Sequence, residues 1–205
     1  YDPDGTTRKN AKKEQKNNIE KDNNQFKFNT HFYNALSFKS LENFENALEE
    51  FEKCIIINPE NPVPYYEAAL IYKLFAQEES ALEFSKKAHI LNKENKWYQL
   101  FYAELLTRNG LTTKAAYIYK QLIKKYPGNK EYYYLLADNY IYARKFSEAI
   151  KIYNQLEKHK GFDKNLIIQK QKLYLEKNDV NGAISEIQKL IDVDKTDISA
   201  YEVLS

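Results

Sequence analysis

Small apolar residues recur along this chain at a fixed interval. Ala47, Ala81, Ala115, Ala149 and Ala183 each stand 34 residues from the next. Ala35, Ala69, Ala103 and Ala137 form a second series in step with the first, which lapses only at Gln171. Around them the apolar residues follow a helical period. In 44–57, Phe44, Ala47, Leu48, Phe51, Cys54 and Ile55 fall at i, i+3, i+4 and i+7, the stripe of an amphipathic helix. Each interval holds two such segments of about thirteen residues, so the pattern predicts stacked helix pairs. In such an array each pair touches only its neighbours. The small residues belong where two helices approach closely, because a larger side chain there would overpack the junction by roughly 1–3 kcal/mol.

With the first alanine series at position 20 of each unit, the units run 28–61, 62–95, 96–129, 130–163 and 164–197, and 198–205 opens a sixth. Position 11 reads Phe38, Tyr72, Leu106, Tyr140, Tyr174, and position 24 reads Phe51, Ser85, Tyr119, Tyr153, Ile187. Position 27 is Cys54, Ala88, Leu122, Leu156, Leu190, and position 32 is Pro59, Lys93, Pro127, Gly161, Lys195. Helix breakers gather at the unit ends, at Asn58-Pro59 with Pro62 and Pro64, at Pro127-Gly128-Asn129 and at Lys160-Gly161. Proline lacks the donor a helix interior needs, and glycine frees the backbone to turn. Asn109-Gly110 and Asn178-Asp179 mark turns inside two units.

Small residues at positions 8 and 20, aromatics at 11 and 24 and proline at 32 resemble the tetratricopeptide repeat family. The resemblance covers about four-fifths of the chain. It implies an all-α fold, an α-solenoid of stacked helix-turn-helix units wound as a right-handed superhelix. Position 4, often Trp in that family, is His31, Tyr65, Gln99, Tyr133, Ile167 here, Ser85 replaces an aromatic, and Gln171 replaces a small residue.

Composition narrows the functional classes. The chain has 205 residues, 31 basic and 29 acidic, for a net charge of +2. That balance gives no electrostatic case for nucleic acid. The mean hydropathy of −0.73, with no long apolar run, argues against a transmembrane segment. The single cysteine, Cys54, sits at a helix-core position and reads as a small buried hydrophobe. Residues 1–27 lie outside the repeat register, and Arg8–Asn24 is dominated by Lys, Asn, Gln and Glu. Such a stretch cannot bury enough surface to fold alone. It reads as a polar arm or solvated lead-in helix, with a docking arm ordered by a partner as the alternative. Tyr201 and Leu204 are apolar residues of an unfinished sixth unit. More repeats or a further domain are therefore expected beyond 205.

No catalytic constellation stands out. His31, His89 and His159 lie in separate units without ligand spacing, and there is no phosphate loop, dinucleotide fingerprint or zinc pattern. The expectation is a chain that is not an enzyme and needs no cofactor or metal. The resemblance points instead to the first helix of each unit (helix A), whose positions 2, 5, 9, 12 and 13 line the concave groove of the family. Position 5 reads Phe32, Tyr66, Leu100, Tyr134, Ile168, and position 9 reads Leu36, Leu70, Glu104, Asp138, Lys172. Trp97 and Tyr142 lie beside this ladder. Tyrosine and tryptophan combine apolar area with a hydrogen-bonding tip and are enriched at binding hot spots. The plain alternative is packing between neighbouring A helices. The chain's eighteen tyrosines, with abundant Lys, Asn and Ile, also suit an AT-rich genome, so tyrosine count alone argues little.

The partner-binding groove expected here comprises Phe32, Tyr66, Leu70, Trp97, Leu100, Glu104, Tyr134, Asp138 and Tyr142. It would hold an extended peptide or helix with apolar anchors, and basic residues opposite Glu104 and Asp138. Family members that clamp a chaperone's C-terminal carboxylate use Lys at position 5 and Asn at position 9, and no unit here has that pair. The resulting expectation is a scaffold or adaptor in a multiprotein complex, in its specific form an accessory subunit of a bacterial envelope machine for secretion or outer-membrane assembly. That form places it in the periplasm or at the outer membrane, with the cytoplasm as the alternative. The other functional class is the partner-binding portion of a larger enzyme or regulator with its catalytic domain elsewhere. An RNA-binding helical repeat is disfavoured by the net charge.

Overall fold

The computed structural model describes residues 6–193, with side chains at Asn10 and from Lys13 onward. The expected start of a sixth unit at 198–205, with Tyr201 and Leu204, lies outside the described residues, as do 1–5 and the last residues of the fifth unit. Among the described residues there are ten helices and no strand. They are α1 (Thr6–Ser40), α2 (Phe44–Ile57), α3 (Pro62–Leu74), α4 (Glu78–Leu91), α5 (Lys96–Arg108), α6 (Thr112–Lys125), α7 (Lys130–Tyr142), α8 (Phe146–Lys160), α9 (Lys164–Glu176) and α10 (Val180–Val193). α1 runs unbroken from the polar lead-in into the first repeat.

The chain forms two compact bodies, residues 1–98 and 99–205. In the first, α1 packs on α2, α2 on α3 and α3 on α4. In the second, α6 packs on α7, α7 on α8, α8 on α9 and α9 on α10. The alanines sit at these junctions. Ala35, Ala47, Ala69, Ala81, Ala103, Ala115, Ala137 and Ala149 expose no surface, and Ala183 only 3%. Phe51, Tyr119, Tyr153 and Ile187 fill the wider spaces and are buried, as is Ser85, whose hydroxyl turns back to the Leu82 carbonyl at 3.0 Å.

Both kinds of turn repeat with the sequence period. Between the two helices of each unit the chain passes through the left-handed region at position 15, in Glu42, Ala76, Gly110, Arg144 and Asn178. The following N–H returns to the carbonyl of position 11 in every case, as Asn43 to Phe38 at 2.9 Å and Asp179 to Tyr174 at 2.8 Å. This six-to-one bond is the helix C-terminal motif that satisfies otherwise orphaned carbonyls. Between units, position 34 caps the next helix. The side chains of Asn61, Asn95, Asn129 and Asp163 accept from the N–H of Val63, Trp97, Glu131 and Asn165 at 2.9–3.0 Å. Such caps answer the unpaired donors of a helix N-terminus.

Candidate functional site

The face expected to bind a partner is carried by the A helices α1, α3, α5, α7 and α9, and it is described separately for each body. In the first body, Phe32 and Leu36 lean on the core cluster of Ala35, Ala47, Phe51, Ala68 and Ile71. The Phe32 ring lies 5.9 Å from Phe28 and 6.2 Å from Phe51, so much of its surface is committed to packing. Tyr66 and Leu70 are half-buried. The Tyr66 ring meets Tyr98 at 4.9 Å. Burial, aided by Glu67 and Tyr66, pushes the Tyr98 hydroxyl up. Lys39 and Glu67 pair at 2.5 Å between α1 and α3. Trp97 is 60% exposed, with the Lys96 ammonium 4.9 Å above its ring.

In the second body, Leu100, Glu104 and Tyr134 are half-buried while Asp138 and Tyr142 are exposed. The Tyr134 ring stands 5.8 Å from the buried Tyr153. Asp138 is charge-coupled to both buried hydroxyls, Tyr119 and Tyr153, and Glu104 to Tyr119. Burial pushes the Tyr119 hydroxyl up to about 12, against a hydrogen bond with Thr107 that lowers it, and raises Tyr153 as well. Both phenols therefore stay protonated at neutral pH. Local desolvation also raises the Asp138 carboxyl above its ordinary value, although the residue keeps an open edge. Among the described residues no basic side chain pairs with it. A carboxylate lacking a cation favours a positively charged neighbour. On α7, Tyr134, Asp138 and Tyr142 follow one another at i, i+4 and i+8, and on α5 Leu100 and Glu104 stand at i and i+4, so each helix presents these side chains on one face.

Buried polar residues that the sequence reading passed over hold this face in place. Asn139 exposes 1% of its surface. Its Nδ2 donates to the Thr112 carbonyl at 3.0 Å, and its Oδ1 lies 2.9 Å from the Thr107 hydroxyl. This ties α7 to the end of α5 and the start of α6. The available signal was a lone amide at position 10, where the other described units after the first carry Ile71, Leu105 and Leu173. Lys170 is fully buried against Glu157 and Glu186, each at 2.7 Å. The remaining candidates for chemistry are occupied by packing. The Cys54 thiol is buried and pushed up to about 11, by burial first and Glu50 second. His31 Nδ1 lies 2.7 Å from the Glu50 carboxylate, and the His159 ring lies 6.1 Å from Tyr133. Among the described residues no three His, Cys, Asp or Glu gather as metal ligands, and no helix is long and apolar enough to cross a membrane.

Residues 106–166 match the family model described as tetratricopeptide repeat. Residues 106–166 belong to the tetratricopeptide repeat family. No curated protein matches the sequence. Solved structures with this tetratricopeptide architecture include YrrB, described as a TPR protein with an unusual peptide-binding site. It is 16% identical with a TM-score of 0.63, over 84% of this chain and 89% of that one. MamA from Desulfovibrio magneticus RS-1 is 13% identical with a TM-score of 0.65, over 84% of this chain and 97% of that one. At these identities the likeness is one of fold. Tetratricopeptide repeats are in general protein-interaction scaffolds, and that is the functional class in which this fold places the chain.

Proposed function

We propose that the chain is a non-catalytic scaffold that holds a protein partner on its A-helix faces. The observation that carries this reading is Asp138, an exposed carboxylate on the α7 face with no basic side chain paired to it among the described residues. Such a carboxylate, between Tyr134 and Tyr142 on one face of α7 and with Leu100 and Glu104 at the same positions of α5, suits a basic side chain flanked by apolar anchors on a peptide or helix. In the first body Tyr66, Leu70 and the exposed Trp97 ring offer apolar contact, while Phe32 leans on the core. The peptide-binding site named for YrrB supports a peptide ligand by analogy of fold. The more specific form, an accessory subunit of a bacterial envelope secretion or assembly machine, is tested by fractionating native cells. Recovery only with soluble cytoplasmic proteins would discard it.

The binding test is a displayed peptide library screened on the whole chain. Enriched peptides should place Lys or Arg within one helical turn of an aromatic or aliphatic residue. Asp138→Asn should weaken their binding about tenfold or more, since charged hydrogen bonds contribute about 1.5–3 kcal/mol. Peptides held equally well by Asp138→Asn, Leu100→Ala and Tyr134→Ala variants would refute this site.

A further inference from the structure

On the second helices of the first and third units, positions 18, 22, 25 and 29 all face solvent. On α2 these are Glu45, Glu49, Glu52 and Ile56, and on α6 they are Thr113, Tyr117, Lys120 and Lys124. All eight are exposed. Ile56 is 80% exposed and Tyr117 67%. Two helices occupying the same place in the repeat thus carry opposite charge, each with one bare apolar side chain. The contrast extends past the stripes, because the chain has no acidic residue between Glu104 and Glu131 but has Arg108, Lys114, Lys120, Lys124, Lys125 and Lys130 there.

The two stripes also match in register. Glu49, Glu52 and Ile56 span eight residues of α2, and Lys124, Lys120 and Tyr117 span eight of α6, each about 10 Å of helix. Laid antiparallel, Glu49 meets Lys124, Glu52 meets Lys120, and Ile56 meets the Tyr117 ring. Two opposite charges and one apolar pair then align together. Complementary charge of this kind sets orientation and encounter more than raw affinity, and the apolar pair removes two exposed side chains from water.

We propose that the α2 stripe of one copy docks on the α6 stripe of a second copy, so that the chain self-associates through its outer helices. The two stripes are different surfaces, so the contact is heterologous and leaves each copy able to accept or donate another. This surface is separate from the A-helix faces. A monomeric result would leave peptide capture untouched, and loss of peptide capture would leave this contact untouched.

The test is the mass of the intact chain by light scattering or sedimentation. At low ionic strength the wild type should show twice the monomer mass or more as concentration rises. It should dissociate in about 1 M salt, where the Debye length is only about 3 Å. Glu49→Lys with Glu52→Lys should run as a monomer, and so should Lys120→Glu with Lys124→Glu, both with unchanged helicity because all four side chains face solvent. Mixing the two variants should restore the heavier species, since the reversed α2 then meets the reversed α6. A wild type that stays monomeric at both salt levels overturns the proposal. So do charge-reversed variants that associate as the wild type does, and so does a mixture that stays monomeric.

Discussion

The hydroxyl of Tyr142 donates to the main-chain carbonyl of Arg108 at 3.1 Å. The two residues hold the same place in successive units, 34 residues apart. The bond ties the last turn of α7 to the last turn of α5, where helix carbonyls lack partners of their own. The ring itself remains 58% exposed, so one side chain joins two units with its tip and faces solvent with its body.

Tyr142 therefore separates two roles. Tyr142→Phe should cost about 0.5–1.5 kcal/mol of stability through the lost bond, while peptide affinity holds because the ring stays. Tyr142→Ala should lower both. Urea unfolding and peptide titration of the two variants make the comparison. A Tyr142→Phe variant that loses affinity as far as Tyr142→Ala would show that the hydroxyl, rather than the ring, is what a partner meets.

The left-handed residues at position 15 offer an inexpensive route to stability. Ala76 holds φ 54° and Arg144 φ 54°, a conformation that costs an L-residue roughly 1–2 kcal/mol. Glycine adopts it without that strain but loses more chain entropy on folding, about 0.5–1 kcal/mol. Ala76→Gly and Arg144→Gly should each stabilise by about 0.5–1 kcal/mol, and Gly110→Ala, at φ 73°, should destabilise. Denaturant midpoints report the sign, and unfolding at lower denaturant in both glycine variants would contradict the turn geometry.

The Lys170 cluster couples α8, α9 and α10. Lys170 bonds Glu157 and Glu186, and Lys189 stands 3.0 Å from Glu186 and 3.5 Å from Glu157. Removing Lys170 alone leaves Glu186 buried without its nearest cation. Lys170→Met should cost about 3–5 kcal/mol, whereas Lys170→Met with Glu186→Met should recover most of it, because an apolar pair of similar volume needs no desolvation. Thermal melts of the single and double variants test this. A double variant no more stable than Lys170→Met would argue against an ion pair as the source of the loss.

Acid should weaken the fold in two stages. Burial lowers the His89 pKa below its ordinary 6.5, with Lys93 adding to the effect, so the unfolded chain takes up a proton there that the folded chain resists. Stability is then lost as pH falls below about 6.5. At Glu157, burial acts to raise the pKa, but the hydrogen bonds and charges of Lys170 and Lys189 outweigh it and the net shift is downward from 4.5. Glu50, bonded by Lys53 and His31, shifts the same way. Their stabilisation is present above the unfolded carboxylate range and disappears as pH drops through the lowered folded values. Melting temperature should fall between pH 7 and 5.5 and fall again below about 4.5. A melting temperature independent of pH over that span would contradict both assignments.

Gly182 is where α10 lies against an aromatic ring. A Cβ there would overlap Cδ1 of Tyr174 and sit 2.9 Å from its Cγ, the rigid base of the ring. Gly182→Ala should therefore destabilise despite alanine's better helix propensity, and Tyr174→Leu should relieve the effect when combined with it. Melts of the two single variants and the double settle the matter, and additive losses in the double would show that the two residues do not clash.

Much of the fold was legible because it rests on local rules. The helical stripe in 44–57 and the two alanine series need only a helical period and the requirement for small residues at close crossings. Gly110 and Asn178 announced their turns, since both tolerate positive φ. Glu42, Ala76 and Arg144 make the same turn with no such signal, because there the neighbouring helices impose the conformation. The Asn61, Asn95, Asn129 and Asp163 caps recur at position 34, a periodic signal the sequence reading did not use. The candidate site was legible only as positions on a helix face, because side-chain surroundings arise from packing: Phe32 is partly spent on the core, and Tyr142 has its hydroxyl engaged by Arg108.

The sequence by itself determined an all-helical chain, the length of its repeat, the phase of its small and aromatic residues, and a nearly balanced charge. These follow from periodicity and composition, which act over a few turns of chain. Only the tertiary structure decided that Asn139 and Lys170 are buried and satisfied, and that Asp138 stands without a basic partner among the described residues. It also decided that Glu49 and Lys124 face outward on equivalent helices. Those outcomes depend on which neighbours crowd each group, and desolvation is set by residues a full repeat away.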